Sequence, residues 1–203
     1  MAEMKGYRLE ICFECQNAAN ECTGLFQRIE ALLEQEDLLS FLQQRVQGKL
    51  RVHHEFRVTL AACPNACSQP QIKDVGIIGT HVPVLTDEPC TLCQACVKIC
   101  RERAVRLDNG CPEIDLSRCL QCGQCVNVCP SETIATGKKG FRVQLGGKLG
   151  RHPRLARELP GIFSEDEVFE IIQDCLAFYK ENSRPGERFA DVLNRMYDHF
   201  AAK

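Results

Sequence analysis

The chain has 203 residues, with 44% hydrophobic and 26% charged residues and a formal net charge of −2. That composition describes a folded globular protein and excludes a disordered, collagenous or coiled-coil chain; the near-neutral charge argues against a nucleic-acid binder held by bulk electrostatics. No apolar run is long enough to span a bilayer, and the opening Met-Ala-Glu-Met-Lys-Gly lacks the apolar core of a secretory signal.

In chain order, YRLEIC (7–12) alternates and predicts a strand ending at a cysteine. From Thr23 to Val46, leucines and isoleucines recur at helical spacing, predicting one or two amphipathic helices with a break near Glu36-Asp37. EFRVTLAAC (55–63) predicts a second strand running into a cysteine, and DVGIIGTHVPV (74–84) a third whose glycines permit close backbone approach. A cysteine-dense block fills 86–137. FRVQLGG (141–147) predicts a further strand, followed by helices over 164–181 and 186–202. Without the dense block the order is strand–helix–strand–strand, then strand–helix–helix. The expected fold is α+β: one α/β half-domain (1–85 and 138–203) with an inserted domain (86–137).

The chain carries 15 cysteines. With no secretion signal they are expected in a reducing cytoplasm, where thiolates hold metal more readily than they form disulfides. CTLCQACVKIC (90–100) and CLQCGQCVNVCP (119–130) share the spacing C-x2-C-x2-C-x3-C. This is the spacing of a two-cluster bacterial ferredoxin, in which the fourth cysteine of each run ligates the other cluster. Three cysteines in a tight loop cap three irons of one cube, and the fourth points away. Cys90, Cys93, Cys96 and Cys129 are therefore expected on one [4Fe–4S] cluster and Cys119, Cys122, Cys125 and Cys100 on another. Structural zinc, the alternative for C-x2-C, suits four cysteines in eleven residues poorly. The first run has Gln94 where glycine is usual and Arg101 where proline follows the fourth cysteine; the second keeps Gly123 and Pro130. Cys111 matches no ligand spacing. Cys175 falls inside a helical apolar pattern and is expected to be a buried hydrophobe.

FRVTLAACPNACSQPQIKDVGIIG (56–79) resembles the second cluster motif of sirohaem-containing sulfite and nitrite reductases, where a C-P-N-x-C run follows a strand and precedes a D-x-G-[IL]-x-G strand. The matching residues are Cys63, Pro64, Asn65 and Cys67, then Asp74, Gly76 and Gly79. LGGKLGRHPRLARELPGIFSEDEVFEII (145–172) and RPGERFADVL (184–193) are similar to that family's C-terminal stretch. A ferredoxin inserted after the cluster strand resembles the dissimilatory sulfite reductase branch.

The resemblance implies a third [4Fe–4S] cluster on Cys22, Cys63 and Cys67, with Cys12 and Cys15 competing for the fourth place. It implies that Cys67 bridges such a cluster to a sirohaem iron where sirohaem is bound. Family enzymes contain two copies of the cradle-forming half, and this chain has the length of one copy plus a ferredoxin. The basic stretch 138–163, with Arg151 and Arg154, is a candidate contact for an anion such as sulfite or nitrite, or for a partner. His53 and His54 are expected to be surface or structural residues. Two functions stay open. One is an iron–sulfur electron carrier serving a redox partner protein; the other is a sirohaem-dependent reductase acting as a homodimer or within a larger complex. No nucleotide-binding loop or thiol–base pair competes with them.

Overall fold

A computed structural model of the chain describes residues 4–12 and 15–197. Strand β1 (Tyr7–Ile11) leads into helices α1 (Thr23–Gln35) and α2 (Leu38–Arg45), which return the chain to β2 (Phe56–Ala61). β1 and β2 are parallel and in register from Tyr7↔Phe56 to Ile11↔Leu60, so the helical crossover is what a parallel pair requires. The break between the helices falls at Glu36-Asp37: Asp37 takes a left-handed φ of 42° and its carboxylate accepts the Ser40 N–H at 3.4 Å, capping α2.

After a short 3-10 turn, Pro70–Ile72, strand β3 (Val75–Leu85) pairs parallel with β2. The chain then makes helix α3 (Ala95–Ile99), the small hairpin β4 (Val105–Asp108) and β5 (Cys111–Ile114), and helix α4 (Gln124–Asn127). It re-enters the main sheet as β6 (Ile134–Leu145), antiparallel to β3 from Val75↔Leu145 to Leu85↔Ile134. The predicted 141–147 strand is thus the inner end of a longer one, and residues 86–133 leave and return at the far end of the β3–β6 arm. Strand β7 (Arg157–Glu158) completes the order β1-β2-β3-β6-β7.

Helix α5 (Glu165–Asn182) starts at a capping box, Ser164 and Glu167 bonding each other's backbone N–H. Helix α6 (Phe189–Arg195) ends earlier than predicted; residues 198–202 of the expected helix lie outside the described ones. Alternation along β2, β3 and β6 sends Phe56, Val58, Ile77 and Val143 into one core with Leu25 and Ile29 of α1 and Ile172 and Leu176 of α5. The glycines of β3 serve close approach: a Cβ on Gly76 would lie 2.4 Å from the Pro70 carbonyl oxygen, and one on Gly79 2.5 Å from that of Ala62. The loop carrying Cys63 and Cys67 is therefore pressed directly against the sheet.

Candidate metal centres

The two cysteine runs repeat as backbone as well as sequence. Left-handed residues recur 29 positions apart: Leu92 (φ 56°) and Gln121 (φ 58°), Gln94 (φ 60°) and Gly123 (φ 72°), Arg103 (φ 51°) and Glu132 (φ 54°). Such conformations cost a non-glycine residue about 1 kcal/mol or more each, and here they wrap a peptide loop around the sulfurs. The Leu92 N–H donates to Cys90 Sγ and the Gln121 N–H to Cys119 Sγ, both at 3.4 Å. The fourth cysteines are served alike: Ala104 N–H to Cys100 Sγ at 3.3 Å and Ile134 N–H to Cys129 Sγ at 3.4 Å. Cys96 and Cys125 occupy the first turns of α3 and α4, where N–H dipoles favour a thiolate. Gln94 adopts the conformation for which glycine is usual, so this departure costs strain and not geometry.

The thiols gather in two sets. Burial raises the Cys96 pKa, and the adjacent Cys129 and Cys90 raise it further. Burial pushes Cys125 up to about 12, with Cys119 and Cys122 adding to it; Cys119 is raised by burial and then by Cys122 and Cys100. Cys129 differs. Burial pushes it up, but hydrogen bonds from Ile134, Ser131 and Thr133 outweigh that and hold it below the ordinary thiol value. Cys93 is exposed, and Cys90, Cys100 and Cys122 are half-buried. Cys129 thus acts on Cys96 of the first run, and Cys100 on Cys119 of the second.

Five more cysteines meet where β1 and β2 end. Cys12 follows β1 and its Sγ accepts the Ala62 N–H at 3.1 Å. Buried Cys22 precedes α1 and is pushed up to about 12 by burial, then by Cys12. Cys63 is raised by burial, against a hydrogen bond from Asn65, and then by Cys12, Cys67 and Cys15. Cys15 and Cys67 are exposed; the Asn65 amide donates to Cys67 Sγ at 3.0 Å. Among the described residues no three His, Cys, Asp or Glu side chains converge on a single metal ion. Instead a cavity of about 150 Å³ is lined by Cys63, Pro64 and Asn65 together with Cys100, Cys119, Cys122 and Cys125. That donor set, soft thiolates spread around a void and served by backbone N–H groups, suits iron–sulfur clusters.

His81 has no signal in the sequence. It is 3% exposed on β3, donates its backbone N–H to the Gln121 carbonyl at 2.8 Å, and bridges to Cys122. Its ring Nε2 lies 3.0 Å from Thr136 Oγ1, and its other face covers Gly123 so closely that a Cβ there would sit 2.3 Å from Nδ1. The loop of the second run is thereby locked to the sheet. A lone histidine in an apolar strand gives no hint of this.

The basic stretch is largely committed within the fold. Lys148 pairs with Asp191; Arg154 reaches Asp191 and the Ala190 carbonyl; Arg142 pairs with Glu158 at 3.5 Å. Arg157 stacks on Tyr197 with 4.2 Å to the ring centroid. Arg151 is exposed. Cys175 is fully buried in α5, and burial raises its thiol; Cys111 is exposed at the start of β5.

The nitrite and sulphite reductase 4Fe-4S domain matches residues 12–202. The chain belongs to this family. It is similar to the coenzyme F420-dependent sulfite reductase of Methanocaldococcus jannaschii, 31% identical over 145 residues, 70% of this chain and 23% of that protein. It is similar, too, to an anaerobic sulfite reductase subunit from Salmonella typhimurium, 31% identical over 174 residues, 82% of this chain and 46% of that one. The chain therefore spans less than half the length of either relative. Its fold matches a dissimilatory sulfite reductase I structure with a TM-score of 0.66 at 18% identity, over 96% of this chain and 51% of that one. This member of the family is an iron–sulfur, oxidoreductase-type α/β protein. Among the described residues no helix is long and apolar enough to cross a membrane.

Proposed function

We propose that this chain is a cytoplasmic electron-transfer unit of the sulfite and nitrite reductase type, with two [4Fe–4S] clusters in the inserted ferredoxin domain and a third beside it. Cys90, Cys93, Cys96 and Cys129 hold the first cluster, and Cys119, Cys122, Cys125 and Cys100 the second. Cys22, Cys63 and Cys67 hold the third with Cys12, which is favoured over Cys15 because it acts on both Cys22 and Cys63.

The observation that carries this reading is the cavity that Cys63-Pro64-Asn65 shares with Cys100, Cys119, Cys122 and Cys125: the second and third sites are neighbours. Each cluster, when bound, takes up and passes one electron at a potential set by its surroundings. The chain supplies those surroundings through burial of Cys96 and Cys125 and the four N–H···S bonds. A redox partner would meet the first cluster, where Leu92 is exposed.

The second reading is a sirohaem-dependent reductase of sulfite or nitrite, formed by a homodimer or within a larger complex. The exposed Cys67, steadied by Asn65, supports it. The use of Lys148, Arg154, Arg142 and Arg157 inside the fold weighs against it, because it leaves few cations, Arg151 among them, to hold an anionic ligand.

Iron, acid-labile sulfide and extractable tetrapyrrole on anaerobically prepared protein separate the readings. About twelve irons and no sirohaem per chain support the carrier. About eight would remove the third cluster, and sirohaem at half to one equivalent per chain would overturn the preference for the carrier.

A further inference from the structure

At the opposite end of β2 from Cys63, a cleft of about 520 Å³ opens between the end of α2, the loop that follows it and the turn at Pro185-Gly186. β2 is six residues long, so roughly 20 Å of strand separates this cleft from the cysteine end. Arg45, Lys49, Arg51, His53 and His54 line it, and no acidic residue does. In a chain whose net charge is −2, this concentration of positive charge runs against the average.

The cations here also lack the carboxylates that partner cations elsewhere. Lys73 has Glu10, Lys180 has Glu36 and Arg195 has Glu187. Among the described residues neither Lys49 nor Arg51 forms an ion pair, while Arg45 donates to the carbonyls of Ser183 and Lys180 and lies over the Phe41 ring. Like charges held together without counter-charges repel, and an anion between them relieves that repulsion. The imidazoles add oriented donors. His54 Nδ1 accepts the Arg51 N–H at 3.0 Å, so in the neutral ring the proton sits on Nε2, which is left free to donate.

We propose that this cleft binds a phosphoryl group, held by Lys49, Arg51 and His54, at a site separate from the metal centres. Multivalent oxyanions match a guanidinium fork, an ammonium and a ring N–H better than a monocarboxylate does. The volume lies in the range of small-molecule sites and exceeds what one phosphate fills, so the phosphoryl group can belong to a larger organic molecule. Distance from the cysteine end makes the bound anion a modulator or anchor rather than a substrate of electron transfer.

The test is calorimetric titration of the holoprotein, prepared anaerobically, with inorganic phosphate, pyrophosphate and adenosine diphosphate at fixed ionic strength. Saturable binding of pyrophosphate or adenosine diphosphate is expected, weakened at least tenfold in K49Q/R51Q. Both substituted side chains are at the surface, so unchanged iron content and circular dichroism should confirm that the variant is folded. Tighter binding of adenosine diphosphate than of pyrophosphate assigns the site to an organic phosphate, and equal binding assigns it to the inorganic group. No saturable heat with any of the three, or equal affinity in the wild type and a folded K49Q/R51Q, would overturn the proposal.

Discussion

Gly123→Ala isolates the contact that locks the second cysteine loop to the sheet. Two costs are expected. The first is conformational: φ at Gly123 is 72°, worth about 1–2 kcal/mol for an L-residue. The second is steric, because the new Cβ would lie 2.3 Å from His81 Nδ1 and 2.5 Å from its Cγ. His81 cannot simply swing aside. It is 3% exposed and its Nε2 contacts Thr136 Oγ1 at 3.0 Å, so yielding costs about 1 kcal/mol for that hydrogen bond and about 1 kcal/mol for an off-rotamer ring. The total is about 3–4 kcal/mol, which for a chain of this size lowers the thermal midpoint by roughly 6–15 °C.

The internal repeat supplies the control. Gln94 holds the equivalent backbone conformation, φ 60°, without glycine, so Gln94→Ala should stay within about 0.5 kcal/mol of wild type. Thermal unfolding of anaerobic holoprotein, followed in the visible dichroism of the clusters, measures all of these. In the double variant His81→Ala/Gly123→Ala the two ring contacts are gone and only the 2.8 Å approach to the Cβ of residue 81 remains, so the double variant should be less destabilised than the sum of the two singles by about 1 kcal/mol or more. Strict additivity, or a Gly123→Ala effect no larger than the conformational cost, would refute the wedge argument.

Gly76→Ala places a Cβ 2.4 Å from the Pro70 carbonyl oxygen, which is backbone and must move with the Cys67 loop. Iron is expected to fall by about four atoms per chain, with the visible signal of the ferredoxin clusters retained. Cys175→Ala should leave the iron content unchanged and cost roughly 1 kcal/mol as a small core truncation; Cys175→Ser should cost more, because the site is fully buried and a hydroxyl there lacks a designed partner. Asp74 is fully buried and burial raises its pKa from 3.8 to about 6, against Arg188 and the Arg57 N–H that donates to it at 2.9 Å. A folded pKa above the unfolded one means that its contribution is complete below about pH 4 and lost as pH rises through 6. Wild-type stability should therefore drop by about 1 kcal/mol between pH 5 and pH 7 relative to Asp74→Asn, readable as diverging thermal midpoints; parallel midpoints would remove Asp74 as the cause.

The parts legible in the sequence are those whose physics is local. Periodicity located α1, α2 and α5; the acidic pair Glu36-Asp37 located their break; cysteine spacing set out a two-fold repeat that reappears as paired left-handed residues. What escaped depends on partners distant in sequence. Ile134 to Gly140 falls outside the strand expected at 141–147, yet it is strand, because β3 presents an open edge whose register continues to Leu85 and supplies hydrogen bonds that the residues' own propensity does not. The stretch 138–163 reads as a basic face, but Asp191 and Tyr197 approach from elsewhere and, with Glu158 of the same stretch, occupy four of its cations. Lys49 and Arg51 carry no such signal in a sequence window, and among the described residues neither has a carboxylate partner. The same logic governs His81. Only when β3 and the Cys119–Cys125 loop are brought together does a histidine become the reason that one repeat must have glycine at 123 while the other accepts glutamine at 94. The asymmetry between the two runs is thus a consequence of the sheet on which the second one rests, where His81 covers Gly123 and its backbone N–H bonds the Gln121 carbonyl.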